Sequence, residues 1–189
     1  MTTRWGAAAR VAPVLLGLGV GLAPLNSCQS SSVPAVMAAP AKSRGQPVLF
    51  AFPPAGADSD VSSESTRGRV TALLFITMFD IASQLYARRL GEVLTELTPR
   101  ANAAAVVIEP PLYAELLPAY RESLSLPYPV VMADYATQSG TGPFGDISHV
   151  PTLVVLDREG RETYRHEGPI ERDELEGALR RAGDRGAGE

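Results

Sequence analysis

The stretch from Thr71 to Gln84, TALLFITMFDIASQ, constrains the fold more than any other part of the chain. Residues 72–76 form an apolar run of strand length, which predicts a buried strand. Asp80 is a favourable helix N-cap, and the residues after it open a long amphipathic helix. The free backbone N–H groups at a helix start stabilise negative charge, so a strand that runs into a helix is a common position for chemistry.

Alternating strand and helix patterns organise the rest of the chain. Alternation implies parallel strand pairs, and the turn at 157–160 adds an antiparallel hairpin. We therefore expect an α/β domain with a mixed central sheet and helices on both faces. Residues 55–69 and 134–148 are rich in turn formers and are predicted to be loops. Strands are predicted at 48–52, 70–76, 103–108, 130–132, 150–156 and 161–166, and helices at 80–97, 112–124 and 170–182.

The first 27 residues have the pattern of an export signal. Two arginines precede an apolar core of 15 residues, 11–25, which is shorter than the roughly 20 residues that a spanning helix needs. The core ends at Leu25-Asn26-Ser27-Cys28, which resembles the lipobox of bacterial lipoproteins. This resemblance implies cleavage before Cys28 and lipid attachment to that cysteine. The alternative is a secreted protein that is cut later, near residues 36–38.

These features predict four segments with different roles. Residues 1–27 are the signal peptide, and residues 28–47 comprise the lipidated cysteine and a disordered tether with a reach of roughly 25 Å. A folded domain follows at 48–182, and the tail at 183–189 is expected to fray. The domain is thus expected in the bacterial cell envelope, lipid-anchored and facing the periplasm or the outer surface.

The charge balance restricts the possible partners. Removal of residues 1–27 leaves 15 basic and 21 acidic side chains, a net charge of −6. This balance argues against nucleic acid as a partner and against charge-driven adsorption on anionic lipid. The sequence has no phosphate-binding loop, no dinucleotide fingerprint and no metal-ligand set, so no cofactor and no metal are expected.

The strand–helix junction also resembles the active-site stretch of the thioredoxin superfamily. The likeness is clearest for the TlpA-type membrane-anchored thiol–disulfide oxidoreductases, whose pattern is F-W-A-T-W-C-x-x-C. Phe75 matches the leading Phe, and Phe79 matches the Trp before the first cysteine. Asp80 falls at the position of the attacking cysteine, and Ser83 at that of the resolving cysteine.

A second stretch, residues 150–160, resembles the V-P-T-x-x-x-x-D-x-x-G pattern of the same family. In that family the proline, here Pro151, is cis and faces the cysteine motif. His149 stands where the family has Gly. The resemblance implies a thioredoxin-like fold over 48–182 and a groove for extended polypeptide at Phe79, Asp80, Val150 and Pro151.

The missing thiols leave several functions open. Cys28 is the only cysteine, so an acylated chain has no thiol for disulfide exchange. We expect a binding or adaptor module for an envelope protein or peptide, without catalytic residues. The alternatives are an oxidoreductase that acts through partner thiols, other chemistry at Asp80, Ser83 and His149, and a structural accessory of an envelope complex. Asp80 itself is predicted to cap the helix, with a lowered pKa.

Overall fold

The computed structural model describes residues 45–53 and 60–185. The signal peptide, Cys28, nearly all of the tether and the last four residues of the tail lie outside this part of the chain. The described residues form β1 (Ala51–Phe52), β2 (Val61–Ser62), β3 (Thr71–Ile76), α1 (Ile81–Glu96), β4 (Asn102–Val107), a 3₁₀ helix (Pro111–Leu116), α2 (Leu117–Ser123), β5 (Val130–Met132), α3 (Tyr135–Gln138), β6 (Thr152–Leu156), β7 (Glu162–Glu167) and α4 (Arg172–Arg185).

Five of these strands form a mixed sheet in the order β5-β4-β3-β6-β7. Strands β3, β4 and β5 are parallel, because helices connect them. Strand β6 pairs antiparallel with both β3 and β7, as the hairpin pattern predicts. The predicted mixed central sheet flanked by helices is therefore confirmed, with β3 at its centre.

The three longer helices all pack on the same face of this sheet, contrary to the expectation of helices on both faces. Alternate residues of β3, Ala72, Leu74 and Ile76, point to this face, as strand geometry requires. The apolar stripes of α1 and α4 meet them there, together with Leu117 of α2. The helical contributions are Tyr86, Ala87, Leu90 and Val93 from α1, and Leu175, Ala178, Leu179 and Ala182 from α4.

An aromatic cluster covers the opposite face. Phe75 of β3 is fully buried there and lies 5.2 Å from Phe144, ring centre to ring centre. Phe50 and Phe52 complete the cluster from the N-terminal segment. Full burial of such a side chain contributes roughly 1.5–3 kcal/mol.

The N-terminal strand differs from the expected edge strand at 48–52. Only Ala51–Phe52 is a strand, and it pairs with the short β2 in a separate two-stranded sheet. Strand β2 lies in a segment that was predicted to be a loop, as does α3. The last helix, α4, runs to Arg185, so the first three residues of the predicted tail, 183–185, are helical. Among the described residues, no helix has both the length and the apolar character needed to cross a membrane.

Candidate functional site

The two stretches that the sequence singled out meet at one edge of the sheet. Thr152 at the start of β6 pairs with Phe75 near the end of β3. The turn at 77–80 and the loop at 149–151 therefore lie side by side. The Val150–Pro151 peptide bond is cis, as the resemblance implies. We call this side of the sheet, where β3, β4 and β5 end, the carboxyl edge.

Asp80 is the N-cap of α1, as predicted. Its backbone is extended (φ −95°, ψ 127°), and its Oδ2 accepts a hydrogen bond of 2.7 Å from the backbone N–H of Ser83. Hydrogen bonds from Ser83 favour the ionised form and lower the pKa of Asp80, which outweighs the opposing effect of partial burial. The side chain is thus a carboxylate held by the helix start, which suits a cap and not a general acid.

The geometry around Ser83 does not form a nucleophile–base pair. The Ser83 side chain is fully buried, and its Oγ accepts a hydrogen bond of 3.4 Å from the backbone N–H of Thr77. His149 is exposed, with Nδ1 lying 3.1 Å from Ser148 Oγ and 3.2 Å from Glu167 Oε2. Within the described chain Ser83 and His149 share no hydrogen bond, so the Asp80, Ser83 and His149 chemistry lacks the contact that a hydrolase needs.

Glu109 binds the backbone of the turn at residues 77–80, and no local sequence pattern pointed to it. Its Oε1 accepts a hydrogen bond of 2.9 Å from the backbone N–H of Met78, and Gln84 Nε2 donates to the Met78 carbonyl at 2.8 Å. Burial, followed by the negative charges of Glu109 and Asp80, raises the pKa of Tyr120 to about 12. Parallel strands end at the same edge of a sheet. The position of Glu109 just after β4 could therefore have placed it near the turn that follows β3.

Large apolar side chains are exposed at the carboxyl edge. Phe79 is 69% exposed and packs edge-to-face on Tyr113, with ring centres 5.6 Å apart. Ile81 at the start of α1, Leu112 after β4 and Tyr135 after β5 are 81%, 73% and 86% exposed. Exposed apolar side chains that gather at one place on a domain mark an interaction surface. The sequence identified only Phe79 of this group, because the others belong to separate segments.

The fold brings all four predicted peptide-binding residues to this one edge, namely Phe79, Asp80, Val150 and Pro151. Phe79 is exposed, whereas Asp80 and Val150 are half-buried. Pro151 is buried, and its carbonyl accepts a 2.7 Å hydrogen bond from the Gly168 N–H. Its ring therefore supports the loop from inside, and Phe79 offers the larger contact surface.

Solved structures similar to this chain share its architecture. They include a secreted Mycobacterium tuberculosis disulfide oxidoreductase homologous to Escherichia coli DsbE, at TM-score 0.56 and 15% identity over 70% of this chain and 96% of that one. A thiol:disulfide interchange protein of the thioredoxin family from Chlorobium tepidum matches at TM-score 0.58 and 21% identity, covering 75% and 99%. StoA from Bacillus subtilis matches at TM-score 0.54 and 16% identity, covering 70% and 96%.

At these identities the likeness establishes the fold, which is thioredoxin-like as expected. No protein-family model matches the sequence. No curated protein sequence matches it either.

Proposed function

We propose that this chain, a thioredoxin-like domain, is a lipid-anchored module of the cell envelope that binds a protein or peptide at its carboxyl edge without thiol chemistry. The observation that carries this proposal is the cap on α1. Asp80 fills the helix start where the resemblance places an attacking cysteine, and its carboxylate is bonded to the Ser83 N–H at 2.7 Å. The anion-stabilising position is thereby occupied by a group that cannot exchange disulfides.

The surface around Asp80 supports binding by its composition. Phe79 and Ile81 remain exposed, and burial of one such side chain against a partner contributes on the order of 1.5–3 kcal/mol. An acid follows the end of each parallel strand: Asp80 after β3, Glu109 after β4 and Asp134 after β5. Charge complementarity therefore favours a partner segment that carries both apolar and basic side chains.

The second candidate function is thiol–disulfide exchange through thiols that a partner supplies. The similar structures favour this candidate more than the binding module, since two of them are named as a disulfide oxidoreductase and a thiol:disulfide interchange protein. The described residues contain no cysteine, so every sulfur in such a reaction would come from elsewhere. The two candidates thus differ in whether turnover accompanies binding.

Photo-crosslinking in native membranes tests the binding proposal. Phe79 is replaced by a photoreactive phenylalanine analogue, and Leu49 is replaced in the same way as the matched control. The two side chains are equally exposed, at 69% and 70%, but Leu49 lies in the N-terminal segment beside β1. We expect a discrete adduct from position 79 that weakens when Ile81→Asp is added. Equal labelling from positions 79 and 49 would contradict a specific face.

The lipid anchor has its own test. Mass spectrometry of the membrane-extracted protein should show an acylated N-terminal Cys28, and Cys28→Ala should release the domain from membranes. Recovery of a soluble chain that begins near Ala39 would contradict the anchor and leave the binding face unaffected.

A further inference from the structure

The edge of the sheet opposite the carboxyl edge carries a cavity lined by four arginines. Its volume is about 540 Å³, and Arg69, Arg100, Arg158 and Arg180 line it. Arg69 precedes β3, Arg100 precedes β4, Arg158 lies in the turn between β6 and β7, and Arg180 lies on α4. The fold therefore brings together four cations that are widely separated in sequence. We call this site the arginine cavity.

These cations are poorly compensated by the protein. Among the described residues that line the cavity, Asp184 is the one acid. Arg180 pairs with Glu176 on its own helix, Nη2 to Oε1 at 2.5 Å. Among the described residues, Arg69, Arg100 and Arg158 have no ion pair. Four arginines and one acid among the described residues line the cavity, which is a local excess of basic residues, although the whole chain has a net charge of −4. Like charges that lie close together repel one another, and a bound anion offsets that repulsion.

The guanidinium group determines which ligand chemistry fits. Arginine stays charged at every physiological pH and presents a planar fork of N–H donors that matches phosphate oxygens in pairs. We infer that the arginine cavity binds a phosphate-bearing anion. The net negative charge argued against anionic lipid as a target, but net charge does not report how charge is distributed over the surface. The cavity gives the domain a local cationic site that the composition conceals.

The phosphate group has two possible sources, a soluble phosphate compound and a lipid headgroup. The lipid source is supported by the place where residues 47 and 48 attach to the domain. Pro47 forms a β-bridge with Arg161, and the Val48 N–H donates to the Gly160 carbonyl at 2.8 Å. The tether thus joins the domain beside the turn that carries Arg158. The lipid source rests on the anchor part of the proposed function, whereas the soluble source does not.

Two probes separate these sources. The chain from residue 28 carrying Cys28→Ala is used, so that no acyl chain contributes to binding. Isothermal titration with pyrophosphate measures the soluble source. Co-sedimentation with phosphatidylcholine vesicles, with and without phosphatidylglycerol, measures the lipid source. Binding of either probe that depends on the cavity arginines supports the inference and identifies the source.

A pair of matched double variants tests that dependence. Arg100→Gln with Arg158→Gln removes two cavity cations, and Arg88→Gln with Arg172→Gln removes two that do not line the cavity. We expect the cavity pair to weaken binding about tenfold or more, because a charged hydrogen bond lost at each arginine accounts for at least that factor. The control pair should leave binding within about twofold, as expected for screened distant charges.

The inference is overturned if neither probe binds, or if both double variants weaken binding equally. Thermal unfolding of both variants checks that they are folded. Neither binding nor its absence at the arginine cavity changes the proposed binding function of the carboxyl edge.

Discussion

The two edges of the central sheet are built from the same strands and differ in chemistry. At the carboxyl edge, exposed apolar side chains such as Phe79 lie beside acids, and the Asp80 carboxylate accepts a hydrogen bond from the Ser83 N–H. At the opposite edge, arginines line a cavity with little compensation. The first edge thus combines apolar side chains with acids, whereas the second brings arginines together. We propose that the domain uses these two edges for two different partners, an apolar one and an anionic one.

The largest expected effect distinguishes an exposed aromatic side chain from a buried one in the same stretch of sequence. Phe75→Ala should lower the free energy of unfolding by about 3–5 kcal/mol, because the side chain is fully buried against Phe144. Phe79→Ala, four residues later, should change it by less than about 1 kcal/mol, since its ring is mostly exposed. Urea unfolding measures both. A loss of several kcal/mol for Phe79→Ala would show that this edge is core and not a binding surface.

The next effect concerns the cap. Asp80→Ala should cost about 0.5–2 kcal/mol of stability, because the Ser83 N–H loses its acceptor. Asp80→Asn should cost little, since Asn caps a helix as well as Asp does. If both variants were fully stable and Asp80→Asn alone abolished a cellular function, the carboxylate would have a chemical role.

The stability of the cap should also depend on pH. The pKa of Asp80 is lower in the folded chain than the value of about 3.9 in an unfolded one. Its contribution is therefore complete above about pH 4 and is lost as the pH falls through the folded pKa. Unfolding curves from pH 6 to pH 2 should show a smaller loss of stability for Asp80→Asn than for the parent chain. Equal losses would mean that Asp80 is not held by the helix start.

How well the sequence predicts each part of these edges depends on how many residues its hydrophobic pattern spans. The central strand and α1 were predictable because long periodic stretches define them, and the same stretch located the cap at Asp80. Strand β2 has two residues and α3 has four, which is too short for periodicity to show. Glu109 and the arginine cavity depend on which distant segments the fold brings together, and local patterns carry no such information. Arg100 and Arg158, for example, are 58 residues apart, and nothing in the sequence around either one sets it apart from other surface arginines.

The smallest effect sharpens the contrast between the two edges. Without a ligand, Arg100→Gln with Arg158→Gln should leave the free energy of unfolding unchanged or raise it by a few tenths of a kcal/mol, since repulsion in the cavity is relieved. Added salt should abolish the difference by screening that repulsion. A loss of more than about 1 kcal/mol, measured by urea unfolding at low salt, would show that the arginines stabilise the fold as Asp80 does.

An assay of disulfide exchange tests most directly whether the carboxyl edge works without thiols. The chain from residue 28 carrying Cys28→Ala is mixed with a dithiol peptide and an oxidant, and in a second reaction with insulin and a reductant. We predict that both rates equal the blank without protein, because the described domain has no cysteine and Asp80 occupies the helix start. Turnover above the blank that is lost in Asp80→Asn or Ser83→Ala would contradict the account and establish the oxidoreductase alternative.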